Sequence, residues 1–201
     1  MPSRTSGQVF PVKIKMNDLK KSNRKSAGKN VLYLAQAGII AALYIALTYL
    51  AMAFGLDKNA IQIRFSEALC ILAFFTSSAV PGLYIGCLLA NILTGCAALD
   101  ILIGPVATLA GALGTYFLGV VFRSKGIKWL RWLVPVPTII ANTIAVPFVV
   151  YVCYTAPSDR VLSIIPFYAL TVFLGEVISA GILGMILFFA VEKKIHKIIK
   201  A

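Results

Sequence analysis

Seven side chains hold most of the chemistry this sequence can offer: Arg64, Glu67, Asn91, Asp100, Asn142, Tyr168 and Glu176. Arg64 and Glu67 stand three residues apart in "IQIRFSEAL", between two long apolar runs and just after the polar "DKN" at 57–59. Carboxylates accept hydrogen bonds at two oxygens, carboxamides both donate and accept, and aromatic rings stack. Tyr151, Tyr154, Phe167 and Tyr168 fall near the same ends of their segments as these polar groups. Such a set suits non-covalent capture of a flat heteroaromatic ligand that carries N–H donors. It does not suit bond cleavage. The single histidine, His196, lies in a charged tail, and Cys70, Cys87, Cys96 and Cys153 form no C-x-x-C pair. No metal site, no cofactor and no histidine-based catalysis are therefore expected. The cysteines read as small packing residues. ATP hydrolysis is not expected in this chain either: "SAGKN" lacks the upstream glycine of a phosphate-binding loop and the hydroxyl after its lysine.

The elements that must position these groups are dictated by composition. Of the 201 residues, 60% are apolar and 13% charged, where a soluble domain has about 25% charged. The apolar runs predict an all-α membrane protein with six helices, at about 31–54, 66–77, 79–96, 101–122, 132–153 and 164–191. Residues 1–30 form a basic tail without an apolar run, so no secretory signal is expected there; residues 31–192 form the membrane domain and 193–201 a second basic tail. Sixteen of the nineteen Lys and Arg residues fall before residue 31, between the fourth and fifth helices, or in the final tail. Lys58, Arg64 and Arg160 are left for the other side. That asymmetry predicts cytoplasmic termini and explains the net charge of +12 as topology, not nucleic-acid binding.

Local pattern refines this. "IQIRFS" alternates as an extended segment does, with Ser66 expected to cap the next helix and Glu67 in its first turn. The two runs between Glu67 and Cys96 are each short for a span and predict a helical hairpin, turning near Ser77, Ser78 and Pro81. Asp100 follows an outer turn, and Pro166 is placed to open the last helix. Glu176, ten residues further on, is then roughly 15 Å down a helix in a ~30 Å core. An ionisable group at that depth costs about 2.5–3.5 kcal/mol and needs a cavity or partner. Glu176 is read as a ligand contact, a proton site or a group bonded to a neighbouring helix; Asn142, at similar depth, as a ligand contact or an interhelical bond. Arg64 and Glu67 could instead pair with each other. On the first helix Ala37 and Ala41 form one small-residue row and Gly38, Ala42 and Ala46 the next, a strip for a neighbouring helix or a partner subunit. No internal repeat of the kind found in many secondary transporters is visible.

Taken in order, "IQIRFSEAL", "VPGLYIGCLLANIL", "LDILIGPVATLAGAL" and "LGEVISAGILG" resemble the QueT family, the queuosine-precursor substrate-binding proteins of energy-coupling-factor transporters. The resemblance covers about residues 31–192. It implies a six-helix substrate-binding (S) component in the cell membrane with both termini cytoplasmic. It also implies a transmembrane coupling protein and two ATPases as partners, and a 7-deazaguanine derivative or queuine as ligand. Glu67, Asp100 and Glu176 become candidates for accepting its N–H edge. Ala37 and Ala41, with Ala42 and Ala46 beside them, match the family's docking strip. A solitary proton-coupled carrier with Glu176 as its proton site is the alternative.

Overall fold

A computed structural model describes residues 16–56 and 62–200. Arg4, Lys13, Lys15 and the expected turn around Lys58 lie outside the described residues, as do the side chains of residues 16–26 and 196–200, His196 among them. Contacts divide the chain after Leu34. In the first unit the described residues are helical, and Val31, Leu32 and Leu34 are exposed. The second unit, from Ala35, contains the remaining helices.

The α-helices among the described residues are α1 (Met16–Ala53), α2 (Ala79–Leu93), α3 (Ala98–Lys125), α4 (Val136–Val149), α5 (Ile165–Glu176) and α6 (Gly184–Lys200). A 3-10 helix, Phe65–Phe74, separates α1 from α2, and π-helical turns occupy Val150–Tyr154 and Val177–Leu183. Four stretches are long and apolar enough to cross a membrane: Ala27–Ala53, Ala98–Lys125, Lys128–Tyr154 and Leu162–Ile195. Leu102, Phe117, Ile144 and Ile186 project outward from them and are exposed. Water would not tolerate so continuous an apolar surface; lipid does. The chain is a multi-pass membrane protein.

The other two apolar elements, Phe65–Phe74 and Ala79–Leu93, are shorter. At 2.0 and 1.5 Å per residue they reach roughly 20 and 22 Å, against a ~30 Å hydrocarbon core. They form the expected hairpin, turned by Thr76 and Ser78, whose hydroxyls are 2.8 Å apart, while Ser78 Oγ also donates to Gln36 Oε1 at 2.9 Å. The first arm differs from expectation in kind. Expected at 66–77, it is a 3-10 helix of 65–74 that starts after the extended residue Arg64 (φ −109°, ψ 103°), so Ser66 is inside the helix and caps nothing. Eight of its ten residues are buried, Ser66 included. It is the innermost element, touching α2, α3, α6 and the Val177–Leu183 turn, and the narrower 3-10 coil fits that enclosed position. Glycine on its neighbours makes the room: a side chain at Gly119 would run into the Phe74 carbonyl.

Two rows of small residues on α3 are buried, Gly104, Thr108 and Ala112 in one and Ala107, Gly111, Thr115 and Gly119 in the next, and Gly111 lies so near α4 that a Cβ would come 2.7 Å from Thr138 Cα. The rows of α1 separate. Ala37 and Ala41 face inward, where a Cβ on Gly82 would come within 2.7 Å of the Ala37 carbonyl and one on Gly86 within 3.0 Å of Ala41 Cα. Gly38, Ala42 and Ala46 remain exposed. One end of the bundle is closed by Phe74, Phe75, Phe122 and Phe188, with ring centroids 5.1–5.3 Å apart. Arg123 donates to the Phe74 carbonyl there (2.6 Å), and Arg131 pairs with Glu192 (3.2 Å). The other end is polar.

Candidate functional site

The polar end is organised by the strand-like segment Gln62–Arg64. Its backbone lies against the last helix at Gly175, where any Cβ would collide with the Gln62 carbonyl. It is held there by the Arg64 N–H, which donates to Ser179 Oγ at 3.1 Å. Ser179 belongs to the π-helical turn that begins directly after Glu176. Such turns carry an extra residue and often occur where a helix must present groups at an irregular spacing. The loop and Glu176 are thus positioned by one stretch of the last helix.

Two cavities meet at this segment. The outer one has a volume of about 430 Å³ and is lined by Thr48, Met52, Gln62, Arg64, Asn91, Asp100, Val146 and Tyr154, among others. That size is within the range of small-molecule sites. Arg64 Nη2 approaches Asp100 Oδ2 at 3.7 Å, Tyr154 OH donates to the same oxygen at 3.1 Å, and the Ala97 N–H donates to Tyr154 OH at 3.1 Å. Asp100 occupies the first turn of α3, where the helix dipole favours an anion. Asn91 donates to the Asp100 backbone carbonyl at 3.0 Å, in space left by Gly104, at which a Cβ would sit 2.8 Å from Asn91 Nδ2. Arginine, carboxylate, carboxamide and phenol therefore share one wall.

The inner cavity is only about 20 Å³, lined by Gln62, Arg64, Glu67, Gly104, Thr108, Asn142, Val146, Val172 and Glu176. That is room for one water or a group of similar size. Gln62, Arg64 and Val146 line both cavities, which adjoin there. Glu67 is 1% exposed, and each of its oxygens has a donor: Tyr44 OH to Oε1 at 2.5 Å and Cys70 Sγ to Oε2 at 3.3 Å. Glu176 is 7% exposed; its Oε1 accepts from Asn142 Nδ2 at 2.8 Å, and its Oε2 has no hydrogen-bond partner. An orphaned carboxyl oxygen in an enclosed site is costly and calls for a partner, whether a water, a proton or a ligand donor.

Of the seven expected site residues, six line these cavities: Arg64, Asn91 and Asp100 the outer one, and Arg64, Glu67, Asn142 and Glu176 the inner one. Tyr168 lines neither and shares a 3.0 Å hydrogen bond with Thr155. The alternative of an Arg64–Glu67 pair is corrected: Arg64 pairs with Asp100, because Glu67 turns into the core toward Tyr44 and Cys70. Cys70 and Cys87 are buried as packing residues, yet each also serves a hydrogen bond, Cys87 accepting from Thr108 at 3.4 Å. Tyr44, Gln62, Thr108 and Ser179 are additions. Gln62 stood in the conspicuous "IQIRFSEAL", whereas nothing local marks Tyr44 within an apolar helix. No group of three His, Cys, Asp or Glu that could hold a metal occurs among the described residues.

Compared with known proteins, residues 34–193 match the model of a family described as QueT transporter. No curated protein and no solved structure gives a match.

Proposed function

The chain belongs to the QueT transporter family, and on that premise we propose that it is the membrane-embedded S component of an energy-coupling-factor importer, capturing a queuosine precursor from outside the cell. The observation that carries this reading is the 430 Å³ cavity with Arg64, Asp100, Asn91 and Tyr154 on its wall and a second, smaller polar pocket beneath it. A planar base with several N–H donors matches it in size and in hydrogen-bond sense. The hairpin Phe65–Leu93 completes a six-helix bundle, with the phenylalanine-closed end and its arginines on the cytoplasmic side.

Energy comes from partners: a transmembrane coupling protein and two ATPases. The docking face for the coupling protein is the exposed row Gly38, Ala42 and Ala46, since Ala37 and Ala41 are occupied by α2. Small residues on a lipid-facing helix allow another helix to approach closely. Calorimetric titration of the purified chain with 7-deazaguanine precursors, queuine, guanine and adenine tests the ligand. Submicromolar binding of a deazaguanine, with guanine far weaker, is the expected result; no binding overturns it. A solitary proton-coupled carrier is the second reading, favoured by the buried free oxygen of Glu176. Uptake into proteoliposomes without any ATPase would select it.

A further inference from the structure

We propose, on the basis of the substrate reading above, that Glu176 is the carboxylate that accepts the ligand's exocyclic amino group, and that the inner pocket admits this amino group while the ring stays in the outer cavity. Three buried carboxyl groups compete for the role, and their partners and positions separate them. Glu67 has a donor on each oxygen, Tyr44 on one and Cys70 on the other. Asp100 lines the outer cavity and not the inner one, and its Oδ2 takes Tyr154 and faces Arg64. Glu176 alone of the three combines burial, a place on the inner pocket and an oxygen without any hydrogen-bond partner.

Volume fixes what can reach that oxygen. At about 20 Å³ the inner pocket is too small for an aromatic ring but holds a group the size of water or an amine. The outer cavity, at about 430 Å³, has room for a bicyclic base and a substituent. A base seated there would point its amino edge past Gln62, Arg64 and Val146 toward Glu176, and the side chains that close Oε2 off would shift to admit the donor. Asn142 holds the other oxygen and so fixes the carboxyl plane. In a Glu176→Gln variant the amide oxygen is drawn to Asn142 Nδ2, which leaves the amide N–H₂ facing the ligand's own donor.

The test is titration calorimetry with three probes: 7-deazaguanine, its counterpart lacking the exocyclic amino group, and its counterpart with that group N-methylated. A buried hydrogen-bonding group deprived of its partner corresponds to roughly a 10- to 100-fold change in affinity. The wild-type chain is expected to bind 7-deazaguanine that much more tightly than either counterpart. Glu176→Gln is expected to lower affinity for 7-deazaguanine by a similar factor while affecting the amino-free counterpart by less than about threefold. An equal loss for both would mean a structural role and overturn the proposal, as would wild-type binding indifferent to the amino group or tolerant of the N-methyl group. Should Glu176→Gln fail to fold, Glu176→Asp, which withdraws the same oxygen, is titrated in its place with the same expected and overturning results. Failure of the wild-type chain to bind any of the three overturns the substrate reading and this inference with it.

Discussion

Replacing Tyr44 with phenylalanine removes one hydroxyl and little else. The ring is buried among Ile40, Leu83 and Cys87, and phenylalanine fills the same space. The hydroxyl donates to Glu67 Oε1 at 2.5 Å, and both residues are 1% exposed, so water does not replace it. A buried acceptor that loses its partner costs about 1–3 kcal/mol, more when charged. For a chain of this length each kcal/mol corresponds to roughly 2–4 °C in melting temperature. Tyr44→Phe is therefore expected to melt about 2–12 °C below the wild type in detergent. Tyr49→Phe is the control: its hydroxyl donates to the Leu93 carbonyl in an exposed position at 3.1 Å, and its loss should stay within about 0.5 kcal/mol. The double variant with Glu67→Met should be less destabilised than the two single losses combined, because both changes remove the same bond. A Tyr44→Phe melting temperature within about 1 °C of the wild type, or an equal loss in Tyr49→Phe, would refute the assignment of Tyr44 as the partner that holds Glu67.

Gly175→Val should displace the Gln62–Arg64 segment and weaken ligand binding roughly tenfold or more, about 1.4 kcal/mol, with helix content by circular dichroism unchanged. Unaltered affinity would show that the segment is not seated there. Phe188→Ala, at the centre of the aromatic cluster, should destabilise by about 3–5 kcal/mol in thermal unfolding without touching the pocket. Ala42→Trp should abolish coupled uptake while calorimetry still shows wild-type ligand affinity. Ala41→Trp, which must force α2 away at Gly86, should lower the melting temperature as well; identical behaviour of the two would remove the distinction between the rows.

Much of this arrangement is legible in the sequence because lipid leaves polar residues little freedom. A carboxylate or carboxamide ten residues into an apolar helix must turn toward a cavity or a partner, so Asn142 and Glu176 identify themselves. Arg64 and Asp100 are legible for the same reason. Their pairing is not, because the choice between Glu67 and Asp100 depends on which side chain turns into the core. Tyr44 is silent in sequence: a tyrosine in an apolar helix usually reads as an interfacial ring, and only the tertiary contact to Glu67 gives it another role. The 3-10 coil of Phe65–Phe74 is equally invisible, since its apolar run would suit an α-helix; enclosure by α2, α3 and the last helix decides the tighter form. The rows of α1 illustrate the remaining limit. Periodicity finds both, but only the glycines of α2 determine which faces inward.

The polar end is built from a loop and a helix that are joined at two points. The Arg64 backbone is tied to Ser179, and the Gln62 carbonyl rests on Gly175, so the contacts bracket Glu176 on either side. The π-helical turn starting at Val177 sets the spacing between the free carboxyl oxygen and the serine that holds the loop. An ordinary α-turn has one residue fewer per turn and would rotate Ser179 away from Arg64 while leaving Glu176 in place. The irregular turn therefore has a physical task, which is to let one helix place Glu176 at the inner pocket and an anchor under the loop that lines it. On the proposed function, a ligand seated against both would have an affinity that depends on that turn as well as on the side chains around it.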